Sequence, residues 1–219
     1  MIRALVFDFD GLILDTEMPA YQAWAEIFTE HGVELSRDRW HDYIGREGGW
    51  FDVYGHLEEL LGRPVDRDAL KARRAVRRDE LIAANAMLHG VAGLFREAKL
   101  RGLKVGIASS SGRDWVCGHL ERLEFMEGWD AIVCRDDVEH AKPAPDLYLR
   151  AAELLGVAPC EAVALEDSPN GVRAAKAAGL FCVAVPNPLT EGLDLTQADL
   201  RLSSLAELSM GELIRRLAR

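Results

Sequence analysis

The apolar segment at residues 2–9 is the feature that most limits the folds open to this chain. It is short and rich in β-branched, aliphatic and aromatic residues, with Arg3 its only charge before Asp8. Such a run is typical of a buried strand in a parallel sheet. Asp8 lies near the end of this segment, and Asp10 and Gly11 follow it; Gly11 permits a sharp turn. Acids are common in ordinary turns, but ligands of open α/β sheets bind where the strands end, so we predict a functional site here.

The chain alternates strands and helices from about residue 102 onwards. The predicted strands are 103–108, 131–134, 162–165 and 181–185, with a short one at 200–202. The predicted helices are 112–123, 146–155, 169–178 and 205–217. This alternation is typical of a parallel sheet covered by helices on both faces.

The stretch from residue 17 to about residue 88 interrupts this alternation with helical patterns only. Apolar residues repeat at helical spacing up to Gly32, again over residues 50–61, and a third helix is predicted at about 67–84. Connections after a strand usually have about 2–6 residues. We therefore predict a core of residues 1–16 and 90–219 and a helical cap of residues 17–89, inserted where lids and substrate domains are found.

The composition excludes several classes of function. The net charge of −10 opposes binding to the phosphate backbone of nucleic acids. No apolar run approaches the roughly 20 residues of a membrane span, and no signal peptide is expected. The cysteines are far apart, so we predict neither a disulfide nor a zinc site and expect all of them to be buried. They are Cys117, Cys134, Cys160 and Cys182. A cytoplasmic monomer is expected.

Two further strand ends carry groups suited to an anion. Ser109, Ser110 and Ser111 follow the second predicted strand, where a hydroxyl and free backbone N–H groups at a helix start could bind phosphate. Serine is also an ordinary helix cap. Lys142 follows the third strand and precedes Pro143, which restrains the backbone. A restrained ammonium could neutralise a phosphate and a carboxylate together, although a surface lysine in a loop is the simpler interpretation.

The fourth predicted strand ends in adjacent acids, Glu166 and Asp167. Ser168 and Pro169 after them are usual at the start of a helix. A helix start does not explain two acids leaving a buried strand, because buried carboxylates are costly unless they are paired or bind a metal. Mg²⁺ takes oxygen ligands, usually one or two carboxylates with water and a substrate phosphate. The pair therefore predicts a Mg²⁺ site.

Together these motifs resemble the haloacid dehalogenase-like hydrolase superfamily, in particular its branch of phosphatases and β-phosphoglucomutase-like enzymes. The motifs are Asp8-Phe9-Asp10-Gly11, Asp15-Thr16-Glu17, Ser109, Lys142 and Glu166-Asp167-Ser168-x-x-Gly171. The resemblance spans the whole chain. It implies an α/β fold with a doubly wound parallel-sheet core, Rossmann-like, and an inserted all-helical cap domain.

The same resemblance implies roles for these residues. Asp8 is the nucleophile that becomes an aspartyl phosphate, and Asp10 is the general acid and afterwards the base. Ser109 and Lys142 hold the phosphoryl oxygens. The implied Mg²⁺ ligands are Asp8, the backbone carbonyl of Asp10, and Asp167, with Glu166 as a direct or water-mediated neighbour.

The residues expected to bind substrate are less tightly defined. They are Gly11, Glu17, Arg46, Ser110, Ser111 and Arg77. Arg46 lies in the cap loop at residues 43–49, but the serine that mutase members carry before this arginine is absent. Arg77 could stand in for the cation that a mutase needs for its second phosphate. The basic run around Arg77 is otherwise a solvated helix face.

We therefore expect a phosphoric monoester hydrolase: a Mg²⁺-dependent phosphatase of small phosphorylated metabolites, above all sugar phosphates, working through an aspartyl phosphate. A β-phosphoglucomutase-like phosphotransferase is the enzymatic alternative. A signalling receiver also forms an aspartyl phosphate on a parallel sheet. The helical insert and the second acid at Asp10 argue against a receiver, which needs neither a lid nor a general acid.

Overall fold

The structure is a computed structural model that describes residues 1–44 and 52–217. The chain divides into two compact units. Met1–Leu14 and Ala86–Arg219 form one, which we call the sheet unit, and Asp15–Asn85 form the other, the helical unit.

The described part of the sheet unit is built on six parallel strands. They are β1 Ala4–Phe7, β2 Lys104–Ala108, β3 Ala131–Val133, β4 Ala162–Glu166, β5 Phe181–Ala184 and β6 Leu200–Arg201. Their order across the sheet is β3-β2-β1-β4-β5-β6, so the direction of winding reverses at β1. Phe7 pairs with Ile107 of β2 and with Leu165 of β4. The residues that follow these three strands therefore lie at one edge, where sheets of this order bind ligands.

The helical unit contains α1 Glu17–Glu30, α2 Arg37–Ile44, α3 Val53–Leu61 and α4 Arg67–Ala83. Helices α1 and α4 pack against each other, and Trp24 of α1 meets Tyr54 of α3 edge to face, with ring centroids 4.9 Å apart. Gly62 ends α3 in the left-handed conformation, and the Asp66 side chain accepts the Ala69 N–H at the start of α4. Helix stops and caps are thus visible in the sequence of this unit.

The helices of the sheet unit cover both faces of the sheet. They are α5 Val91–Leu100, α6 Arg113–Arg122, α7 Asp146–Leu155, α8 Pro169–Ala177 and α9 Met210–Leu217. Helices α7 and α8 pack on the face that carries Ala4 and Val6. The opposite face carries Phe7, whose ring meets Trp129, which in turn meets Phe95 of α5. Alternate residues of one strand thus contribute to separate cores.

The predicted α/β class with a doubly wound parallel sheet is confirmed, and α7 has the predicted bounds. One helix was missed and another begins later than predicted. Helix α5 was not predicted, and its N-cap residue, Gly90, has no side chain that could mark the start of a helix. The helix expected at 205–217 begins only at Met210, where the Ser209 hydroxyl accepts the Glu212 N–H and the Glu212 carboxylate accepts the Ser209 N–H. This capping box was legible in the sequence.

The prediction that all four cysteines are buried is confirmed for Cys134 and Cys182. It is wrong for Cys160, which is exposed, and for Cys117, which is only partly buried. Cys160 is exposed because it lies in a short 3₁₀ turn, Pro159–Glu161, outside the packed layers. All four are free thiols, as expected. Among the described residues, none of the helices combines the length and the apolar character needed to cross a membrane.

Two glycines, Gly90 just before α5 and Gly93 within it, test how the start of α5 packs in the sheet unit. Gly90 has φ +95°, and a Cβ there would lie 2.3 Å from the Ala206 backbone nitrogen, whereas a Cβ at Gly93 would meet nothing within 4 Å. We expect Gly90→Ala to lower the free energy of unfolding by about 1–3 kcal/mol. Gly93→Ala, the matched control, should raise it by about 0.5–1 kcal/mol because glycine is costly inside a helix. Equal urea midpoints for the two variants would contradict this account.

Candidate active site

Three polar residues are held where the central strands end. The Asp8 N–H donates to the Leu165 carbonyl at 2.9 Å, and the Ser109 N–H donates to the Val133 carbonyl at 2.9 Å. Glu166 is the last residue of β4. Each of these side chains therefore projects from backbone that is still bonded to a neighbouring strand, which limits its freedom to move.

A cluster of buried acids forms at this edge. Carboxylate oxygens of Asp8, Glu166 and Asp167 lie within 4.8 Å of one another, and the three residues are only 6%, 0% and 2% exposed. Lys142 brings the opposing charge: its Nζ contacts Asp8 Oδ1 and lies 2.7 Å from Glu166 Oε1. One ammonium cannot balance three carboxylates, and buried charges that stay unbalanced are costly.

The pKa values reflect this excess of negative charge. Burial raises the pKa of Asp8 to about 8, the Lys142 charge opposes this shift, and the Glu166 and Asp10 carboxylates add to it. Burial by itself would lower the pKa of Lys142, but the charges on Asp8 and Glu166 raise it above its ordinary value. Lys142 is therefore positively charged. Further positive charge at the cluster would favour the ionised form of Asp8.

Glu166 is surrounded by protein donors. Its Oε1 accepts the Tyr148 hydroxyl at 2.5 Å in addition to Lys142, and its Oε2 accepts the Ser168 hydroxyl at 3.2 Å. Burial, followed by the Glu166 charge, raises the pKa of Tyr148 well above its usual value, so the phenol remains a donor. A Cβ at Gly171 would lie 1.9 Å from the Glu166 carboxylate. Only a glycine fits there, which explains the last residue of this motif.

Asp167 is oriented by a side chain that the sequence analysis missed. Asn187 Nδ2 donates to Asp167 Oδ2 at 2.7 Å. The amide cannot be turned round, because Asn187 Oδ1 accepts the N–H groups of Leu189 and Thr190 at 2.8 and 3.1 Å. Gly11 adopts φ +81°, and a Cβ there would lie 2.2 Å from Asp167 Oδ2. The close approach of the Asp167 carboxylate therefore explains why residue 11 is a glycine.

Asp10 faces a different set of donors. Its Oδ2 accepts the Ser111 hydroxyl at 2.7 Å and lies 3.4 Å from the Ser109 hydroxyl, while its Oδ1 accepts Trp115 Nε1–H at 2.9 Å. The Ser111 N–H donates to Ser109 Oγ at 3.0 Å, so the expectation of free N–H groups at this turn is wrong for Ser111. Ser110 is exposed. The Asp10 carboxylate is not part of the cluster formed by Asp8, Glu166 and Asp167. This agrees with the resemblance, which implied that Asp10 binds Mg²⁺ through its backbone carbonyl only.

The remaining predicted residues belong to the helical unit. Glu17 begins α1 and is half-buried. The Arg77 guanidinium donates to Glu26 at 2.7 and 3.1 Å and to Glu80 at 3.1 Å, which favours a structural ion pair over a substrate contact. Arg46 lies outside the described residues.

The donor set fits a hard divalent cation. Carboxylate oxygens without nitrogen or sulfur donors are typical of sites for Mg²⁺ or Ca²⁺ rather than for softer metals. Of the residues that the sequence analysis missed, Asn187 follows β5 and could have been found by the rule that located the acids. Tyr148 and Trp115 lie on helices, and their distance from the acids in sequence gave no signal.

Comparison with known proteins places these features among phosphate-processing enzymes. The family model described as haloacid dehalogenase-like hydrolase matches residues 2–179. The chain is 44% identical to "Putative phosphatase YhcW" of Bacillus subtilis, covering 98% of this chain and 97% of the relative. It is 32% identical to hexitol phosphatase B of Escherichia coli, covering 97% of both. It is 31% identical to β-phosphoglucomutase of Bacillus subtilis, covering 95% and 92%.

A solved structure of a related protein shows the same similarity at the level of the fold. The crystal structure of CbbY from Rhodobacter sphaeroides in complex with phosphate superposes with a TM-score of 0.73 at 31% sequence identity. The match covers 98% of this chain and all of that one. Sequence and fold comparisons therefore extend over both units of the chain.

The Asn187 contact gives a test of the metal site. Asn187→Ala removes the donor that orients Asp167, so we expect the Mg²⁺ concentration that gives half of the Mg²⁺-induced rise in Tm to increase about 10–100-fold, as for other residues that orient metal ligands. Asn170→Ala, which removes an amide bonded to Arg173 instead, is the control. A wild-type response to Mg²⁺ in Asn187→Ala would refute the orienting role.

Proposed function

Because the chain belongs to the haloacid dehalogenase-like hydrolase family and is a phosphoric monoester hydrolase, we propose that its substrates are small phosphorylated metabolites, above all sugar phosphates. We propose further that catalysis proceeds through an aspartyl phosphate on Asp8 with Mg²⁺ as the cofactor. Hexitol phosphatase B and the CbbY structure with bound phosphate support this substrate class.

The observation that carries the mechanism is the environment of Asp8. Its carboxylate is buried, contacts the Lys142 ammonium, and lies within 4.8 Å of the Glu166 and Asp167 carboxylates. A phosphate dianion entering this cluster meets strong repulsion unless positive charge is added. Asp8, Asp167 and the Asp10 backbone carbonyl would hold Mg²⁺, which would supply that positive charge. The Lys142 ammonium then stabilises the negative charge both of the nucleophile, Asp8, and of a phosphoryl oxygen.

The reaction needs two displacements at phosphorus. First, an Asp8 carboxylate oxygen attacks phosphorus, the bond to the leaving oxygen breaks, and Asp10 gives its proton to that oxygen. Next, a water attacks the phosphorus of the aspartyl phosphate and Asp10 takes the proton. Orthophosphate leaves and the Asp8 carboxylate is restored. Ser109, fully buried at the end of β2, and Lys142 hold the phosphoryl oxygens.

We assign the choice of substrate to the helical unit. It is a separate compact body of residues Asp15–Asn85, and we place its connections to the sheet unit near residues 15–19 and 87–92. Such an insert can move as a unit on its two connections. Residues 17–89 would thus form a cap, with Glu17 and the loop around Arg46 as its substrate-binding part.

The mutase alternative is weaker for this chain. A mutase must hold the second phosphate while its bisphosphate intermediate reorients, which requires a firm cation in the cap. The mutase serine before Arg46 is absent from the sequence, Gly48-Gly49 follow Arg46 in the sequence, and Arg77 is already bonded to Glu26 and Glu80. We set the receiver alternative aside, since the matching family and the named relatives are enzymes.

The nucleophile is tested by Asp8→Asn. This change keeps the shape of the side chain but removes the attacking oxygen, so we expect phosphate release to fall below detection while the circular dichroism spectrum is retained. Asp194→Asn, at a residue whose carboxylate accepts the Thr196 hydroxyl at 2.6 Å in an exposed turn, should keep the wild-type rate. Wild-type turnover by Asp8→Asn would disprove the aspartyl-phosphate mechanism.

A product assay separates hydrolysis from isomerisation. Water should compete well for the aspartyl phosphate, because the second phosphate is not firmly held. With β-glucose 1-phosphate we therefore expect orthophosphate release with little glucose 6-phosphate. Efficient formation of glucose 6-phosphate with negligible orthophosphate would favour the mutase.

A further inference from the structure

The carboxylate of Asp10 is held on both oxygens by the segment that joins β2 to α6 and by α6 itself. Ser111 Oγ donates to Oδ2 at 2.7 Å and Trp115 Nε1 donates to Oδ1 at 2.9 Å. These donors lie about 100 residues from Asp10 in sequence: the separations are 101 and 105 residues. The tertiary fold therefore brings them together for this one carboxylate.

Trp115 is itself held in place by an aromatic series. Its ring meets His119 edge to face, with centroids 4.4 Å apart, and His119 stacks on Phe9 at 6.4 Å. Phe9 is fully buried and lies between Asp8 and Asp10 in the chain. The direction of the indole N–H is thus set by ring packing, through His119, on the side chain that lies between the two acids.

We propose that Trp115 and Ser111 are positioning residues that aim Asp10 and stabilise the charge it acquires when it gives up its proton. This inference rests on the proposed function, in which Asp10 protonates the leaving oxygen. As that proton transfers, negative charge develops on the carboxylate, and the two donors bond more strongly to the charged form. Interactions that strengthen in the transition state lower the barrier.

The consequence depends on the leaving group. The oxygen that leaves a sugar phosphate is an alkoxide and needs a proton, whereas p-nitrophenolate leaves without one. Loss of the Asp10 donors should therefore slow the first displacement for alkyl esters but not for the aryl ester. The second displacement needs Asp10 as base with every substrate, so the aspartyl phosphate should persist longer in all cases.

The test compares kcat/KM of Trp115→Phe and wild type for glucose 6-phosphate and p-nitrophenyl phosphate, since kcat/KM reports the first displacement. We expect a loss of about tenfold for the sugar ester, part of the contribution of a general acid, and of less than about twofold for the aryl ester. The variant should also release a burst of about one p-nitrophenol per enzyme before steady turnover. Equal losses on both esters, or none, would overturn the inference.

Trp129→Phe is the matched control. It also removes an indole donor, but one that bonds the Phe125 carbonyl at 2.9 Å and packs against Phe7, so the ratio between the two esters should not change. Ser111→Ala should shift the ratio in the same direction as Trp115→Phe, and it decides the question if Trp115→Phe does not fold. Wild type that hydrolyses neither ester would instead refute the proposed function, which separates the two failures.

Discussion

The ammonium of Lys142 between the carboxylates of Asp8 and Glu166 is the interaction on which the rest of the site depends. The three side chains are almost fully buried. Removing one partner of a buried ion pair typically costs about 3–5 kcal/mol, because the other charge is left without compensation. The neighbouring groups serve this arrangement: Tyr148 and Ser168 complete the bonds of Glu166, and the cluster still carries excess negative charge that a divalent cation would balance.

The two acids of the first motif have different environments, and this difference supports different roles. Asp8 faces Lys142 and the acid cluster, whereas Asp10 faces Ser111 and Trp115. The chain leaves strand geometry after β1 and turns at Gly11, which adopts a positive φ. Pairs of acids in contrasting environments commonly divide the tasks of a reaction between them. Here Asp8 lies against the Lys142 ammonium, which suits the proposed nucleophile, and Asp10 accepts hydrogen bonds from Ser111 and Trp115, which suits the proposed proton carrier.

Much of this arrangement could be predicted because it obeys local rules. Apolar runs marked the strands, and the polar residues after them marked the active edge, since the carboxyl ends of parallel strands share one side of the sheet. Asn187 lies after β5 and obeys the same rule. Tyr148 and Trp115 could not be found in this way, because they lie on helices and not at strand ends. The carboxylates that accept their hydrogen bonds are decided by how those helices pack on the sheet. Helix α5 escaped because Gly90 gives no side-chain cap.

By itself, the sequence determined the class of fold, the edge of the sheet that carries the acids, and the residue types that suit phosphate and Mg²⁺. These follow from hydrophobic periodicity, from backbone restrictions at glycine and proline, and from the charge of single residues, all of which are local properties. Only the tertiary structure decided which donor meets which carboxylate: Lys142 with Asp8 and Glu166, Asn187 with Asp167, and Trp115 with Asp10. Such pairings depend on how separate elements pack. A change of about 1 Å in the distance between donor and acceptor makes or breaks a hydrogen bond, and spacing along the chain does not give that distance.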